Sequence, residues 1–319
     1  MSHIKACRSI FILLLLALLT PLTLMHVYGA VDADTVRQRI YSVYTGVLDV
    51  YEAGGNVSRP VQLINEAISS LEEYYTTNDA TLLTAASSYL DEAESILPTL
   101  RSEGESRRFW NNVLTIGGIV GIVALGLFAY FILPRLFFRG WSRVRGEYRI
   151  RVRKSRSSRK SLILDEEVWA VILAVIVVGG VFAVSQAYLS GRVVEPFSEL
   201  GLLGKNMKIG DYPRELVVGD NATFYVYVGN HMGRPMYYVV EVKLGDKSTN
   251  IDPAPIKPIF TYERVLLHNE TWIFRVDLPV ETPGLNQRII VELWIYNETI
   301  GDLQYHGRWT QLWINVTSV

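Results

Sequence analysis

Cysteine is nearly absent: Cys7 is the only one in 319 residues. It precedes the first apolar run, whereas a lipoprotein cysteine would follow such a run. If the leader is removed, no thiol remains, so disulfides and thiol catalysis are excluded and the folded parts must hold by core packing. Catalytic signatures are missing too. There is no HExxH helix, GxSxG elbow, P-loop or kinase signature. His231, His268 and His306 lack the i,i+4 spacing of a zinc helix, and two of them, His231 and His268, lie in expected turns and read as solvated. Ser198-Glu199 has no base placed beside it by local sequence. Glu72, Glu73, Asp91, Glu92 and Glu94 lack the oxygen-ligand spacing of a calcium loop, so they read as a solvated acidic face. No catalytic residue, metal site or cofactor is expected.

Charge is absent from two long stretches, 113–133 and 168–189. At about 1.5 Å rise per residue, either crosses a hydrocarbon core ~30 Å thick. Neither holds the buried ionisable residues that pumps and channels use, so both read as anchors. Between them, residues 135–160 carry eleven Lys/Arg and one acid, Glu147. Positive loops stay on the cytoplasmic side, which places the loop 134–167 inside and everything else outside. Arg143, Arg145, Arg149, Arg151, Arg153, Lys154, Arg156, Arg159 and Lys160 would set orientation and rest on anionic lipid headgroups. That accounts for the charge without nucleic acid as a partner. Trp110, Trp141, Trp169 and Tyr188 mark the interfaces. Gly117 and Gly121 in one span, and Gly179, Ala183 and Ala187 in the other, suit close packing of an antiparallel hairpin. The same residues could instead join two copies of the chain.

Lys5 and Arg8 followed by the apolar run 10–19 read as a signal peptide over 1–29, with a plausible cleavage point near Gly29, or as an uncleaved signal anchor. Five sequons, at Asn56, Asn221, Asn269, Asn297 and Asn315, all fall in segments assigned to the outside, so these are the glycosylation candidates.

Residues 31–108 form an acidic stretch with helical periodicity. Ile40, Val43, Val47 and Tyr51 stripe one helix, which Gly54-Gly55 ends. Ser58 and Pro60 start a second, striped by Leu63, Ile64, Ala67, Ile68 and Leu71. Asn78-Asp79 breaks it. Leu82, Leu83, Ala86, Leu90, Ala93 and Leu97 stripe a third, with a kink expected at Pro98 near its end. A small bundle or bent hairpin results. Beyond residue 190 the pattern changes to β. Phe224, Val226 and Val228 share one face of a strand, as do Ile289, Val291, Leu293 and Ile295. About seven strands are expected, with His268-Asn269-Glu270 as a short hairpin turn. That suits an immunoglobulin-like β-sandwich over 190–319.

Phe197-Ser-Glu-Leu-Gly-Leu-Leu-Gly204, Asp211-Tyr-Pro213, Leu216-Val-Val-Gly219 and Val228-Gly-Asn-His-Met-Gly233 occur in the order seen in the archaeal membrane proteins grouped as DUF1616, a domain of unknown function. Residues 190–300 resemble that family, with Met232 where the pattern suggests an acid. The resemblance implies an archaeal envelope protein without assigned activity. The expected architecture is therefore an α + β membrane protein. An extracellular helical bundle or hairpin comes first, then a two-helix transmembrane hairpin, then an extracellular β-sandwich. The expected role is non-enzymatic: a multi-pass cell-envelope protein whose outer domains bind envelope proteins or glycans. The alternative is a membrane-anchored carbohydrate-binding module that uses Tyr225, Tyr227, Trp294 and Tyr296, which face away from the core. An envelope hydrolase has no residue support.

Overall fold

The computed structural model describes residues 32–132, 166–189 and 195–318. The leader 1–29 with Cys7, and the basic loop with Arg143, Arg145, Arg149, Arg151, Arg153, Lys154, Arg156, Arg159 and Lys160, lie outside the described residues. Among the described residues, four helices precede eight strands: α1 (Ala33–Glu52), α2 (Ser58–Thr77), α3 (Ala80–Phe131) and α4 (Glu166–Leu189), then β1 (Phe197–Leu203) to β8 (Asp302–Thr317). The described parts of Met1–Gly46 and Arg59–Ile96 form one compact unit. Those of Val47–Ser58 and Leu97–Val319 form the other.

The helical stripes are buried as their spacing requires. Ile40, Val43 and Val47 of α1 and Leu63, Ile64, Ala67, Ile68 and Leu71 of α2 are all buried, whereas Tyr51 is exposed. Turn chemistry sets the breaks. Gly54 adopts φ +87°, a left-handed backbone that favours glycine. Asn56 Oδ1 accepts the Ser58 N–H and so caps the start of α2. Asp79 accepts the Thr81 N–H and restarts the chain as α3. On the first unit's surface, Arg39 pairs with Asp91 at 2.6 Å and Arg59 with Glu92 at 2.6 Å. Those carboxylates stay largely exposed, so the pairs add little stability.

The third helix does not end near Pro98. It forgoes one backbone hydrogen bond there and continues through the apolar stretch, 52 residues in all. At 1.5 Å per residue that is about 78 Å. Its apolar part is bare: Leu114 and Leu125 are 70% and 69% exposed. Among the described residues one helix, α3, is long and apolar enough to cross a membrane; the apolar part of α4, Ala174–Gln186, is shorter.

The face on which α3 and α4 meet differs from the one expected. No described atom lies within 4 Å of where a Cβ would sit on Gly117, Gly121 or Gly179. Ala183 is exposed, and the Ala187 side chain lies outside the description. Instead Gly180 turns toward α3: a Cβ placed on it would lie 3.6 Å from Ile122 Cγ2. A groove of about 370 Å³ is lined by Ile122 and Gly126 on one side and Gly180 and Val184 on the other. One residue along a helix is a rotation of about 100°, so Gly179 must point away once Gly180 faces the partner.

The strands form two sheets, ordered β1-β3-β6 and β2-β8-β7-β4-β5. Every pairing is antiparallel except β2 (Glu215–Val217) with β8. With β3 (Asn221–His231) and β6 (Thr271–Pro279) in one sheet, and β4 (Met236–Gly245), β7 (Gly284–Asn297) and β8 in the other, this is the strand order of an immunoglobulin-type sandwich. Phe224, Val226 and Val228 bury one face of β3; Val240 and Val242 of β4 sit beside Leu293 and Val291 of β7. The turn His268-Asn269-Glu270 does not close a hairpin. It carries the chain from β5 (Phe260–Leu266), paired with β4, to β6, paired with β3.

Candidate functional site

Alternation dictates that each strand has a second face, and the chemistry-bearing residues of the sandwich lie there and at one end. The two aromatic pairs singled out in the sequence do not form one patch, because β3 and β7 belong to different sheets. Tyr225 and Tyr227 lie half-buried on the outer face of the three-stranded sheet. The Tyr227 hydroxyl donates to Glu199 Oε2 at 2.7 Å. That bond, then burial, raises the tyrosine pKa. Trp294 and Tyr296 belong to the outer face of the five-stranded sheet. Tyr296 is buried, with its ring 6.3 Å from Tyr237. Trp294 packs on Tyr305 at 5.4 Å, and its buried Nε1–H has no partner among the described residues. The aromatics left on this face are Tyr305, Trp309 and Trp313 of β8. Trp309 and Trp313, four residues apart on one strand, are about 13 Å apart. Arg288 stacks over Trp313 at 4.3 Å.

Beneath the β4–β5 loop lies a buried ion cluster. Lys243 and Glu292 occupy outward positions of neighbouring strands, yet their side chains are 4% and 0% exposed. The ammonium donates to Glu292 Oε2 at 2.6 Å, Glu241 Oε2 at 2.8 Å and the Ala254 carbonyl at 3.1 Å. An ammonium has three donors, so all are used. The second oxygen of Glu292 accepts the Ala254 N–H. Burial alone would depress the lysine pKa, but the two carboxylates outweigh it and hold it above the ordinary value. The cluster pins residue 254 of the loop onto the sheet.

A third constellation gathers at one end of the sandwich. Ser198, 3% exposed, shares a 2.6 Å hydrogen bond with the Tyr238 hydroxyl and a 2.8 Å bond with His306 Nε2. Burial pushes Tyr238 up to about 12. Beside this network His231 stacks on Phe197 at 4.7 Å, with Nε2 3.6 Å from Glu199 and Nδ1 3.1 Å from Asn269 Oδ1. His268 Nδ1 accepts the Gly233 N–H. The histidines expected to be solvated are thus engaged, and Ser198 does have an imidazole against it. A serine–histidine contact is the opening geometry of nucleophilic catalysis. Here the hydroxyl is buried and already bonded to Tyr238, so no substrate carbonyl can approach it. The arrangement is a polar lock between β1, β4 and β8. Among the described residues no group of three or more His, Cys, Asp or Glu is placed to hold a metal ion.

The lock has a pH signature. Burial, then the nearby Arg308 charge, lowers the His306 pKa, its own backbone bond opposing only in part. The unfolded chain therefore binds a proton that the folded ring resists. The histidine's contribution is complete above about pH 6.5 and is lost as pH falls through that value. The loss is at most about 1.4 kcal/mol per pH unit, reduced by the solvent the ring still meets. Melting temperature measured from pH 8 to 5 should fall below 6.5, and His306→Gln should flatten that part of the curve.

Residues 192–315 match the family model described as Domain of unknown function (DUF1616). This segment is a DUF1616 domain. The match takes in the sandwich core except Val316, and the helices α1 to α4 lie outside it. No curated protein matches the chain. Among solved structures, the DUF1616 domain is similar to the CARDB domain of the PF1109 protein from Pyrococcus furiosus, described in complex with di-metal ions. Identity there is 12%, over 38% of this chain and 89% of that one, with a TM-score of 0.27. A human complex of Zinc 2-glycoprotein and Prolactin inducible protein gives 10% identity over 39% and 98%, with a TM-score of 0.26. A beta-glucosidase from Listeria innocua gives 14% over 39% of this chain and only 16% of that one, also at 0.26. The sandwich topology of the DUF1616 domain stands on its own strand pairings.

Proposed function

We propose that the chain is a non-enzymatic cell-envelope membrane protein that holds a DUF1616 sandwich and an acidic helical segment at the outer face of a membrane, where they bind envelope partners. The observation that carries this reading is the bare apolar stretch of α3, whose large side chains, Leu114, Val120, Val123, Leu125 and Leu127 among them, are exposed. So large an exposed apolar surface is stable in lipid and not in water. Trp110, exposed just ahead of that stretch, suits the headgroup level. The second apolar segment, α4, is the returning span, and the basic loop between them faces the cytoplasm. An enzymatic role is disfavoured by the buried state of Ser198.

A second reading, a carbohydrate-binding module, is favoured by one feature. Tyr305, Trp309 and Trp313 follow one face of β8, where flat rings could stack on successive sugars. Both readings share the topology, which single cysteines test. In a Cys7→Ser background, Ser88→Cys and Ser248→Cys, both at exposed positions, should label in intact cells with an impermeant thiol reagent, and Ser155→Cys should not. Labelling at Ser155 alone overturns the orientation. A glycan array with the full chain in detergent separates the two roles. Saturable sugar binding lost in Trp309→Ala supports the module, whereas no sugar binding together with protein crosslinks in native membranes supports the envelope-partner role.

A further inference from the structure

The five sequons are equivalent in sequence and unequal in the fold. An N-linked glycan replaces one of the two hydrogens of the Asn side-chain nitrogen, so the folded protein accepts it best where that nitrogen faces solvent and no neighbouring side chain holds it. Asn56 is exposed, and its carbonyl oxygen does the structural work by accepting the Ser58 N–H at 3.0 Å. A backbone N–H can only donate, which fixes the oxygen toward the turn and the nitrogen outward. Asn269 is exposed at a turn with φ +64°; its Oδ1 lies 3.1 Å from His231 Nδ1, and its own backbone N–H donates to the Asn230 carbonyl. Neither nitrogen has a partner among the described residues, and neither do the hydroxyls of Ser58 and Thr271 that complete these two sequons.

Asn297 and Asn315 differ. Asn315 lies in β8, half-buried. Its nitrogen donates to Glu215 Oε1 at 2.9 Å, while its oxygen accepts the Asn286 N–H at 2.9 Å. Asn297 donates to Gln304 Oε1 at 2.6 Å and accepts the Thr299 N–H at 2.9 Å. In both, the backbone N–H again fixes which end is nitrogen; a neighbouring side chain holds one of its two hydrogens, and the residue is only half-exposed. A glycan on Asn315 would crowd a half-buried nitrogen that already holds Glu215 of β2. Asn221 is an intermediate case outside the inference: it is exposed, but Thr223 gives its hydroxyl to Asp277 at 2.6 Å.

We infer that Asn56 and Asn269 are modification sites carrying N-linked saccharide, and that Asn297 and Asn315 stay bare. The donor class is a saccharide on a lipid-linked phosphate. The Asn Nδ2 attacks the anomeric carbon, and the N–C bond forms as the C–O bond to phosphate breaks. The lipid phosphate leaves with the bonding pair, and the amide loses one proton. The inference rests on the outside placement of both folded parts.

Glycopeptide mass spectrometry on the full-length protein from its native membrane tests it. Saccharide is expected at Asn56 and Asn269, with the peptides holding Asn297 and Asn315 at unmodified mass. Asn56→Gln and Asn269→Gln should each increase gel mobility by one step, and the double variant by two. Saccharide at Asn297 or Asn315 overturns the inference. So does a bare Asn56 or Asn269 in protein whose Ser248→Cys variant labels from outside. If every sequon is bare and Ser248→Cys is shielded in intact cells, the outside placement itself has failed, and the inference falls with it.

Discussion

Glu292→Ala should destabilise the DUF1616 domain by about 3–5 kcal/mol, the cost of stranding one partner of a buried ion pair. Glu292 is fully buried, and both its oxygens are used: Oε2 takes the Lys243 ammonium and Oε1 takes the Ala254 N–H. Truncation leaves the ammonium with only Glu241 and the Ala254 carbonyl, on a side chain that is 4% exposed. It also leaves a buried backbone donor unmade, a further penalty of about 1–3 kcal/mol when no relaxation occurs. Lys243→Met should cost a comparable amount, since it strands the carboxylate. The double variant Lys243→Met/Glu292→Leu should cost much less than the sum of the two. Desolvation is then no longer charged to either side chain, and apolar replacements of similar volume are often neutral in such sites. Glu241→Gln should be milder, because that side chain keeps 20% exposure. Thermal melts of the four variants in one detergent check this. A Glu292→Ala loss below about 1 kcal/mol would sink the argument, since it would mean solvent reaches the pair.

Much of the sandwich is legible from strand alternation, because the side-chain period of a strand is a local property. The faces of β3 and β7 follow from Phe224-x-Val226-x-Val228 and from Ile289, Val291, Leu293 and Ile295. Pairing is not local. Two strands joined by a three-residue turn read as a hairpin, yet β5 and β6 belong to opposite sheets because each finds its partner elsewhere in the chain. The first strand, Phe197–Leu203, carries Gly201 and alternates weakly, so it is visible only through its register with β3. The polar locks are hidden for the same reason: Ser198 and His306 are 108 residues apart, and Lys243 and Glu292 are 49 apart. The Lys243–Glu292 pair left one sequence signal, a charge at an outward position inside an apolar run, as in Val239-Val-Glu-Val-Lys243 and Ile289-Ile-Val-Glu292. Such a charge reads as solvated until a loop is seen to cover it.

The helices teach a related point. Backbone hydrogen bonds of a helix do not depend on side-chain polarity, so the change from acidic to apolar near residue 110 does not end α3. A boundary of composition is not a boundary of structure. Small-residue spacing marks a stripe on an apolar helix but not the direction in which the stripe points. The partner decides that, and here Ile122 selects Gly180 over Gly179. The aromatic pairs fail as a common patch on the same ground, since facing away from the core on two different sheets means facing in opposite directions.

Gly104→Ala and Gly117→Ala are the same change on the same helix, and they should have opposite signs. Helix propensity alone makes Gly→Ala stabilising by about 0.5–1 kcal/mol. Gly117 should show at most that small gain, since nothing lies within 4 Å of its added methyl. Gly104 is buried, and a methyl there would sit 2.3 Å from the Gly55 nitrogen and 2.8 Å from both Gly54 C and Gly55 Cα. These are backbone atoms, so no rotamer change relieves the clash. The turn cannot simply lift away either. Gly55 is itself tight against α3, its own Cβ position lying 2.6 Å from the Leu100 carbonyl, and Arg108 donates to the Glu52 carbonyl at the end of α1. Overpacking of this kind costs about 1–3 kcal/mol, so Gly104→Ala should lower stability by about 2 kcal/mol despite its better propensity. Paired melts of the two variants read the difference in sign directly. A Gly104→Ala protein as stable as Gly117→Ala would mean that the α1–α2 turn does not rest on α3. If the signs differ as argued, Gly104 is the point at which that turn is seated on the helix whose apolar stretch continues from it.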